Sequence, residues 1–307
     1  MKKIFKHSYL LIGFLILFFI LKDIDFNFLF KSVKEINLFY LVLSAFMYIP
    51  LVFLSSYRFK KIMDAQGIYY SAKNAFYMYG AGLFLSLAVP GRMGDFSKIA
   101  YLKKDGHSLN KAFLGNLLDK LFDLFFLALF AFLGIIYFSA SSYFSLNFNS
   151  FVKYIFTAIF ILLFAALFFY FKKKEFIVNF VSETKKELNK FRMKNIFEIS
   201  LFTVLSLFSY FIIIYFIAAS IKIHNIGFLY ISFSAVFIIF ATIIPVSILG
   251  IGTREAALLI ILSPLQIPKE TIIFFSALIM TNYLSLFLIC FFCWLKKPPP
   301  LFKYLSK

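Results

Sequence analysis

The sequence predicts an all-α, polytopic integral membrane protein, and three observations support this fold class. Of the 307 residues, 62% are hydrophobic and only 15% are charged, a balance that would leave large apolar patches on a water-soluble protein. The apolar residues fall in successive stretches close to the roughly 20 residues that cross a bilayer. The basic residues lie between these stretches, as positive-inside topology requires. That topology explains the formal charge of +18, so nucleic acid is not an expected partner.

The apolar stretches predict the number of crossings and their order. They lie at 8–21, 38–56, 74–90, 113–138, 151–171, 196–219, 228–249 and 271–295, with a shorter one at 254–263. The linkers on both sides of 74–90 are strongly basic, so the charge rule places both in the cytoplasm. A segment between two cytoplasmic linkers must enter the membrane and return on the same face. We therefore expect 74–90 to be re-entrant.

The second half of the chain repeats this pattern. The basic loop 172–195 and the basic C-terminal tail are both predicted to be cytoplasmic, which requires that 228–263 enter from outside and turn back. The prediction is about six full spans plus two re-entrant hairpins in one transmembrane domain, 1–307. This domain would lie in the cytoplasmic (inner) membrane with both termini in the cytoplasm. Eight ordinary crossings are the alternative. The loop 172–195 is either an amphipathic helix on the lipid headgroups or a solvated loop.

The two hairpins carry the same residue types at their turns: a proline, glycines, an arginine and an acid. In the first hairpin these are Pro90, Gly91, Arg92, Gly94 and Asp95. In the second they are Pro245, Gly250, Gly252, Arg254 and Glu255. Proline ends the incoming helix, and glycine permits backbone conformations that expose peptide groups. Exposed peptide groups in hydrocarbon cost several kcal/mol unless they line protein or water. Each break therefore predicts a cavity at membrane depth.

The flanking segments extend this likeness to an inverted repeat. A span, a broken hairpin and a span occur in 38–138 and again in 196–295, with opposite predicted orientations. Transporters built in this way hold their substrate near the midplane, where the two broken elements meet. The repeat therefore predicts the location of a substrate site.

The residues at the two breaks favour an anion as the substrate. Each restarting helix would point the positive end of its dipole into the cavity, beside Arg92 or Arg254. An arginine adds a two-pronged donor that suits phosphate. In the alternative, Arg92 snorkels to the cytoplasmic face and Arg254 pairs with Glu255 or another acid. Asp95 and Glu255 are expected to balance the two arginines when the site is empty.

The fourth apolar stretch carries polar side chains at helical spacing, namely Asn116, Asp119, Lys120 and Asp123. Residues three and four apart share one face of a helix, and ionisable groups at membrane depth face a cavity or a partner. We predict a cavity-facing polar stripe, and a self-neutralising Asp–Lys pair that joins helices is the alternative. No catalytic set, cofactor motif or metal cluster is recognised, and the sequence Cys290-x-x-Cys293 is interpreted as two small buried thiols.

These motifs resemble the transmembrane region of lysylphosphatidylglycerol synthases, a family of flippase-like membrane domains. Tyr57-Arg58-Phe59 is similar to the family's Arg-aromatic motif after the second span. Pro90-Gly91-Arg92-Met93-Gly94-Asp95 is similar to its P-G-R-x-G-D element, with Lys98 where the family commonly has Arg. Asp119 and Asp123 match the acidic helix that follows. Pro245-x-Ser247 and Gly250-x-Gly252-x-Arg254-Glu255 match its P-x-S-x-x-G-x-G-x-R-E element. The resemblance covers nearly the whole chain, as a stand-alone domain without an aminoacyl-transferase domain.

The resemblance implies a lipid translocase that moves an anionic or glycosylated headgroup between leaflets. It implies that Arg92, Arg254 and the acids line the path, and that Arg58 and Lys98 contact the headgroup. One alternative is a membrane glycosyltransferase that uses a lipid-linked donor, with Asp23 and Asp25 as its acids. Another is an accessory subunit that recruits a cytoplasmic glycosyltransferase through 172–195. Under the leading hypothesis the protein is not an enzyme, needs no cofactor or metal, and has membrane lipids as partners.

Overall fold

The computed structural model describes residues 11–22, 24–88, 94–140, 185, 189–223, 226–243 and 250–300. The regular secondary structure in these ranges is entirely helical. The helices are α1 (Leu11–Leu21), α2 (Phe26–Lys34), α3 (Leu38–Phe46), α4 (Tyr48–Ala65), α5 (Ala72–Ala88), α6 (Ser97–Lys104), α7 (Leu109–Ala140), α8 (Met193–Ser220), α9 (Phe228–Ile243), α10 (Thr253–Leu262) and α11 (Lys269–Lys296). The all-α fold class predicted from the sequence is confirmed.

Four helical stretches are long and apolar enough to cross a membrane, which confirms a multi-pass membrane protein. They are Leu38–Ala65, Leu109–Ser139, Met193–Ser220 and Lys269–Lys296. They correspond to four of the six predicted spans. Of the other two, 151–171 lies outside the described residues, and 8–21 is described only from residue 11. Most of the basic loop 172–195 also lies outside the described residues.

The first of these spans consists of α3 and α4, which are separated at Met47. The cause is Pro50. Proline has no N–H to donate to the carbonyl four residues earlier, here that of Phe46, and its ring clashes with that carbonyl. The interruption therefore falls one turn before the proline, about a third of the way along the span. Ser44 and Tyr48, on the two sides of the break, are both buried.

The first hairpin consists of α5 and α6, and it begins and ends at the same end of the helix bundle. The hydroxyl of Tyr70, just before α5, donates a hydrogen bond to Oδ2 of Asp105, just after α6, at 2.6 Å. Burial and this hydrogen bond raise the pKa of Tyr70. The ammonium of Lys297, which follows α11, lies 5.9 Å from the Tyr70 ring centroid, and burial lowers the pKa of Lys297. The helix α5 has 17 residues, which is the lower end of the range for a helix that crosses a bilayer.

The second hairpin consists of α9 and α10, and its two ends contact each other at the opposite end of the bundle. The Tyr230 hydroxyl, near the start of α9, donates to the carbonyl of Ile261, near the end of α10, at 2.6 Å. A short connection joins the end of α4 to the start of the first hairpin, and another joins the end of α8 to the start of the second hairpin. The helices α4 and α8 are antiparallel neighbours, because Lys61 pairs with Glu198 at 2.7 Å at one end. At the other end, the backbone N–H of Asn37 donates to the Ser220 carbonyl at 2.8 Å.

Contacts between helices occur in pairs that relate the two halves of the chain. The helix α4 packs against its counterpart α8. The contact between α5 and α11 corresponds to the contact between α9 and α7. The α4–α5 contact corresponds to α8–α9, and the α6–α7 contact corresponds to α10–α11. This arrangement is the one expected if 38–138 and 196–295 are repeats, which stays a prediction.

A glycine lets the chain return closely along α5 in the first hairpin. A Cβ atom added to Gly94 would lie 2.1 Å from the backbone carbon of Leu85 and 2.2 Å from the backbone nitrogen of Ser86. Real Cβ atoms essentially never approach backbone this closely. The residue that follows, Asp95, is thereby held against the hairpin's incoming helix and buried.

Candidate functional site

Six charged side chains meet between the first hairpin, α4 and α7. The cations are Arg58, Lys98 and Lys120, and the anions are Asp95, Asp119 and Asp123. We refer to these six residues as the ion network. Three positive charges balance three negative ones, so its formal net charge is zero. Buried charges are tolerated in a low-dielectric interior when they are paired and hydrogen-bonded in this way.

Arg58 of α4 joins the network to α7. Its Nε donates to Oδ1 of Asp119 at 2.9 Å, and its Nη2 donates to Oδ2 of Asp123 at 2.9 Å. Its Nη1 also bonds to Oδ1 of Asp123, which makes this a two-pronged pair. Both carboxylates reach the same guanidinium because residues four apart share a helical face. All the nitrogens of Arg58 are therefore engaged, and its side chain is fully buried.

Lys98 and Lys120 tie the hairpin to the same helix. Lys98 Nζ lies 3.0 Å from Oδ2 of Asp119 and 3.9 Å from Oδ1 of Asp95. Lys120 Nζ lies 2.5 Å from Oδ2 of Asp95. The neutralisation proposed as the alternative for the polar stripe does occur. Its Asp–Lys pairs join α7 to the first hairpin.

Aromatic rings and a glycine enclose the Lys98 ammonium. Its Nζ lies 4.8 Å from the ring centroid of Phe59 and 4.5 Å from that of Tyr79, distances at which a cation is attracted to the ring face. A Cβ added to Gly82 would lie 2.9 Å from Cγ of Lys98. The glycine thus leaves room for the lysine stem, and Lys98 is fully buried.

The second hairpin holds a smaller polar cluster around Arg254. Its Nε donates to the Ser276 hydroxyl at 2.7 Å, and its Nη2 donates to Oε1 of Glu255 at 2.8 Å. Ser276 in turn donates to Oε1 of Glu255 at 2.5 Å. The third guanidinium nitrogen, Nη1, is buried and has no hydrogen-bond partner within the described part of the chain. Arg254 therefore keeps donor capacity that Arg58 has used.

Glu255 also caps the helix that restarts after the second break. Its Oε2 accepts a hydrogen bond from the backbone N–H of Gly252 at 2.6 Å. The backbone φ angles of Gly250 and Gly252 are +79° and +85°, in the left-handed region that favours glycine. The positive end of α10, predicted to attract an anion, is therefore partly satisfied by the protein's own carboxylate. Arg254 pairs with Glu255, as the alternative for this arginine expected.

Neutral polar side chains from four other helices form a second set of contacts. They are Ser44 of α3, Tyr48 of α4, Tyr210 of α8, and Asn282 and Tyr283 of α11, and we refer to them with Arg254 as the tyrosine chamber. The hydroxyls of Tyr210 and Tyr283 are 3.3 Å apart, and the rings of Tyr48 and Tyr283 have centroids 6.3 Å apart. Arg254 interacts electrostatically with Tyr48 and with Tyr210. The chamber thus joins helices from the first and second halves of the chain.

The structure brings most of the predicted site residues together in two places. The ion network contains Asp95, Asp119, Lys120, Asp123, Arg58 and Lys98, and the second cluster contains Gly252, Arg254 and Glu255, with Gly250 two residues before Gly252. The predicted residues Pro90, Gly91, Arg92 and Pro245 lie outside the described residues. The predicted roles of all these residues in substrate binding stay predictions.

Three residues of the second site were not identified from the sequence: Tyr48, Ser276 and Asn282. Each is a single neutral polar residue in an apolar stretch, which gives little signal on its own. Pro50 was the available cue for Tyr48, because it places a break at Met47, the residue before the tyrosine. The contact between Asn282 and Ser44 joins residues from the two ends of the chain, and spacing along the sequence does not reveal such a contact.

The glycosyltransferase alternative depends on Asp23 and Asp25. Asp23 lies outside the described residues, and Asp25 is exposed. Oδ1 of Asp25 accepts a hydrogen bond from the backbone N–H of Phe28 at 3.4 Å, at the start of α2. Within the described ranges, no group of three or more His, Cys, Asp or Glu side chains is placed to hold a metal ion.

The comparison with known families agrees with the geometry. No curated protein matches the chain, and no solved structure matches it. The family model of the lysylphosphatidylglycerol synthase TM region matches residues 8–290, which includes both hairpins and all six residues of the ion network. The protein is thus a multi-pass membrane protein that belongs to this lipid-handling family, the lysylphosphatidylglycerol synthase TM region.

Proposed function

We propose that this protein is a lipid translocase of the cytoplasmic membrane, with both termini in the cytoplasm. It would move an anionic or glycosylated lipid headgroup between leaflets, and the proposal includes no catalytic step. The observation that carries it is the Nη1 of Arg254, a buried cationic donor without a hydrogen-bond partner in the described ranges. A buried donor left unpaired costs about 1–3 kcal/mol, more when the group is charged. A phosphate oxygen bound there would recover that cost.

The position of Arg254 supports the same proposal. A charged headgroup cannot cross hydrocarbon without a polar path, and Arg254 is buried where the second hairpin restarts. The two hairpins enter the bundle from opposite ends, so in this proposal each hairpin serves one leaflet. In this mechanism, Arg254 binds the phosphate, while Ser276 and the N-terminus of α10 hold Glu255 in place.

The ion network has a different role in the proposal. Its cations are already paired with carboxylates, and each of the three guanidinium nitrogens of Arg58 has a carboxylate partner. We infer that the network fixes the first hairpin against α4 and α7, and that the headgroup binds at the second hairpin. Arg92 lies outside the described residues, and its predicted contact with the headgroup is kept as part of the proposal.

The test is transbilayer movement of fluorescent phospholipids in vesicles that contain the purified protein. Arg254→Ala is expected to slow transport of the preferred lipid by about tenfold or more, since a charged hydrogen bond contributes about 1.5–3 kcal/mol. Arg254→Lys retains the charge but loses the two-pronged geometry, so we expect an intermediate rate. Lys222→Ala, at an exposed cation, is the matched control. If Arg254→Ala changes no rate for any lipid while the protein remains folded, the proposed function is wrong.

A further inference from the structure

A groove between α4 and α5 opens on the outer surface of the protein. Its volume is about 590 Å³, which lies within the range of small-molecule sites. Its walls include the α4 residues Ile49, Pro50 and Phe53 and the α5 residues Ala72, Lys73 and Tyr77. Ile49 and Phe53 are 47% and 46% exposed, so the groove is open to the surrounding lipid. No residue of the ion network or of the tyrosine chamber lines it.

The groove is charged at one end and apolar along the rest of its length. Among the described residues that line it, only Lys73 carries a charge. Lys73 lies in the first turn of α5, at the end of the bundle where α4 ends. Ile49 and Pro50 lie inside the first span, Leu38–Ala65. A phospholipid has the same order of parts, a polar headgroup followed by an apolar chain.

A second cation lies on the α11 side of the groove. The ring centroid of Tyr77, a lining residue, is 6.5 Å from that of Phe292, and Lys296 Nζ lies 5.5 Å from the Phe292 centroid. Lys73 and Lys296 are both exposed, and neither forms an ion pair within the described ranges. The charged end of the groove therefore offers two ammonium groups to an anion.

Charge, rather than apolar contact, decides which lipid such a groove selects. Lipid tails are as apolar as the side chains of the wall, so different lipids with the same chains fill it about equally well. A lysine near the membrane surface favours an anionic lipid about fivefold, which corresponds to about 1 kcal/mol. Asp105, the acid beside this end of α5, already interacts with Tyr70 and Lys297. The groove therefore favours a lipid with a negative headgroup.

We infer that the groove holds one anionic phospholipid as a resident of the protein. Its chain lies against Pro50 and Phe53, and its headgroup binds Lys73 and Lys296. This lipid differs from the transported lipid of the proposed function, because the groove shares no residue with the Arg254 cluster. Since it contacts both α4 and α5, its binding stabilises the attachment of the first hairpin to the first span.

Native mass spectrometry of the purified protein in detergent counts the bound lipids. The probes are phosphatidylglycerol and phosphatidylcholine with the same short acyl chains, together with inorganic phosphate. We expect the anionic lipid to bind at least fivefold more tightly than the zwitterionic lipid, and phosphate alone not to displace it. Lys73→Gln should reduce this preference about fivefold, whereas Lys34→Gln, at an exposed lysine near the opposite end of the bundle, should leave it unchanged. Equal affinity for the two lipids, displacement by phosphate, or an equal effect of the two variants would overturn the inference.

A variant that fills the groove shows whether the lipid lies there. Ala72→Phe places a ring in the groove and should lower the number of bound anionic lipids by one. Asn74→Phe adds the same ring at an exposed position outside the lining and is the control. If Ala72→Phe keeps the full number of lipids, or if both variants lose the same number, the groove is not the site. Lys73→Gln changes only an exposed side chain, so it decides the question even if Ala72→Phe does not fold.

Binding and transport separate this inference from the proposed function. If Arg254→Ala removes the bound lipid that depends on Lys73, that lipid belongs to the Arg254 cluster and the groove assignment is wrong. If the lipid remains bound in Arg254→Ala but no lipid crosses the vesicle membrane with the parent protein, the groove site stands and the translocase proposal fails. If lipids cross in an Arg254-dependent way but Lys73→Gln changes no affinity, the translocase proposal stands and the groove inference fails.

Discussion

Replacing Asp119 by Asn removes the negative charge at the centre of the ion network. Asp119 is fully buried and contacts Arg58 and Lys98, which are also fully buried. The substitution changes the formal charge of the network from zero to +1 and leaves Lys98 with only the 3.9 Å contact to Asp95. At 3.0 Å and an effective dielectric constant near 20, the lost attraction to Lys98 is about 5 kcal/mol. Measured losses of one partner from a buried pair are about 3–5 kcal/mol, and we expect a loss of that size in the free energy of unfolding.

The assay is reversible unfolding by SDS in mild-detergent micelles, followed by tryptophan fluorescence. The chain has one tryptophan, Trp294 of α11, whose ring lies 5.5 Å from that of Phe84 in α5. Its emission therefore reports on the attachment of the first hairpin. Glu35→Gln removes a carboxylate from an exposed pair with Lys222 and is the control. We expect it to change the free energy of unfolding by less than about 1 kcal/mol.

A compensating variant separates charge imbalance from general damage. Combining Lys98→Met with Asp119→Asn restores a neutral network, and the unbranched Met side chain fits beside Gly82. The double variant should be more stable than Asp119→Asn alone, because no uncompensated buried charge remains. The reasoning is refuted if Asp119→Asn remains within about 1 kcal/mol of the parent, or if the double variant is no better than the single one.

Two further predictions concern the geometry of the hairpins. Gly94→Ala should lower the free energy of unfolding by about 1–3 kcal/mol or more, because its Cβ would overlap the α5 backbone, whereas Gly227→Ala has no atom within 4 Å and should have little effect in the same SDS titration. In a protein without its native cysteines, Tyr69→Cys and Lys104→Cys should react with a membrane-impermeant maleimide from the same side, and Ser263→Cys from the other. Labelling of Tyr69→Cys and Lys104→Cys from opposite sides would contradict a re-entrant first hairpin.

The apolar pattern predicted where the long helices lie but made them too short. The first span was predicted as 38–56, whereas the helical stretch runs to Ala65, and the stretch predicted as 113–138 runs from Leu109 to Ala140. Apolar stretches end at the first charged residues, yet Arg58 lies inside the helix. Its charge is cancelled by carboxylates from a helix far along the chain. Composition along a single segment contains no information about such a partner.

The charge pattern of the linkers and the hydrophobicity of the segments give different predictions for the second hairpin. The segment 228–249 is apolar enough to span, but the helix there, α9, has 16 residues and the Tyr230–Ile261 hydrogen bond closes the hairpin behind it. The tyrosine chamber, in contrast, was not predicted. It depends on the break caused by Pro50 and on contacts between distant helices, whose side chains have no common sequence motif.

The equal numbers of positive and negative charges in the ion network have a consequence for a protein that lies in a membrane with an electrical potential. Moving one unit charge through 100 mV changes the free energy by about 2.3 kcal/mol. Because the six side chains sum to zero, displacing them together does almost no electrical work. Under the proposed function, the membrane voltage would act chiefly on the net charge of the transported lipid, and it would not displace the network that anchors the first hairpin.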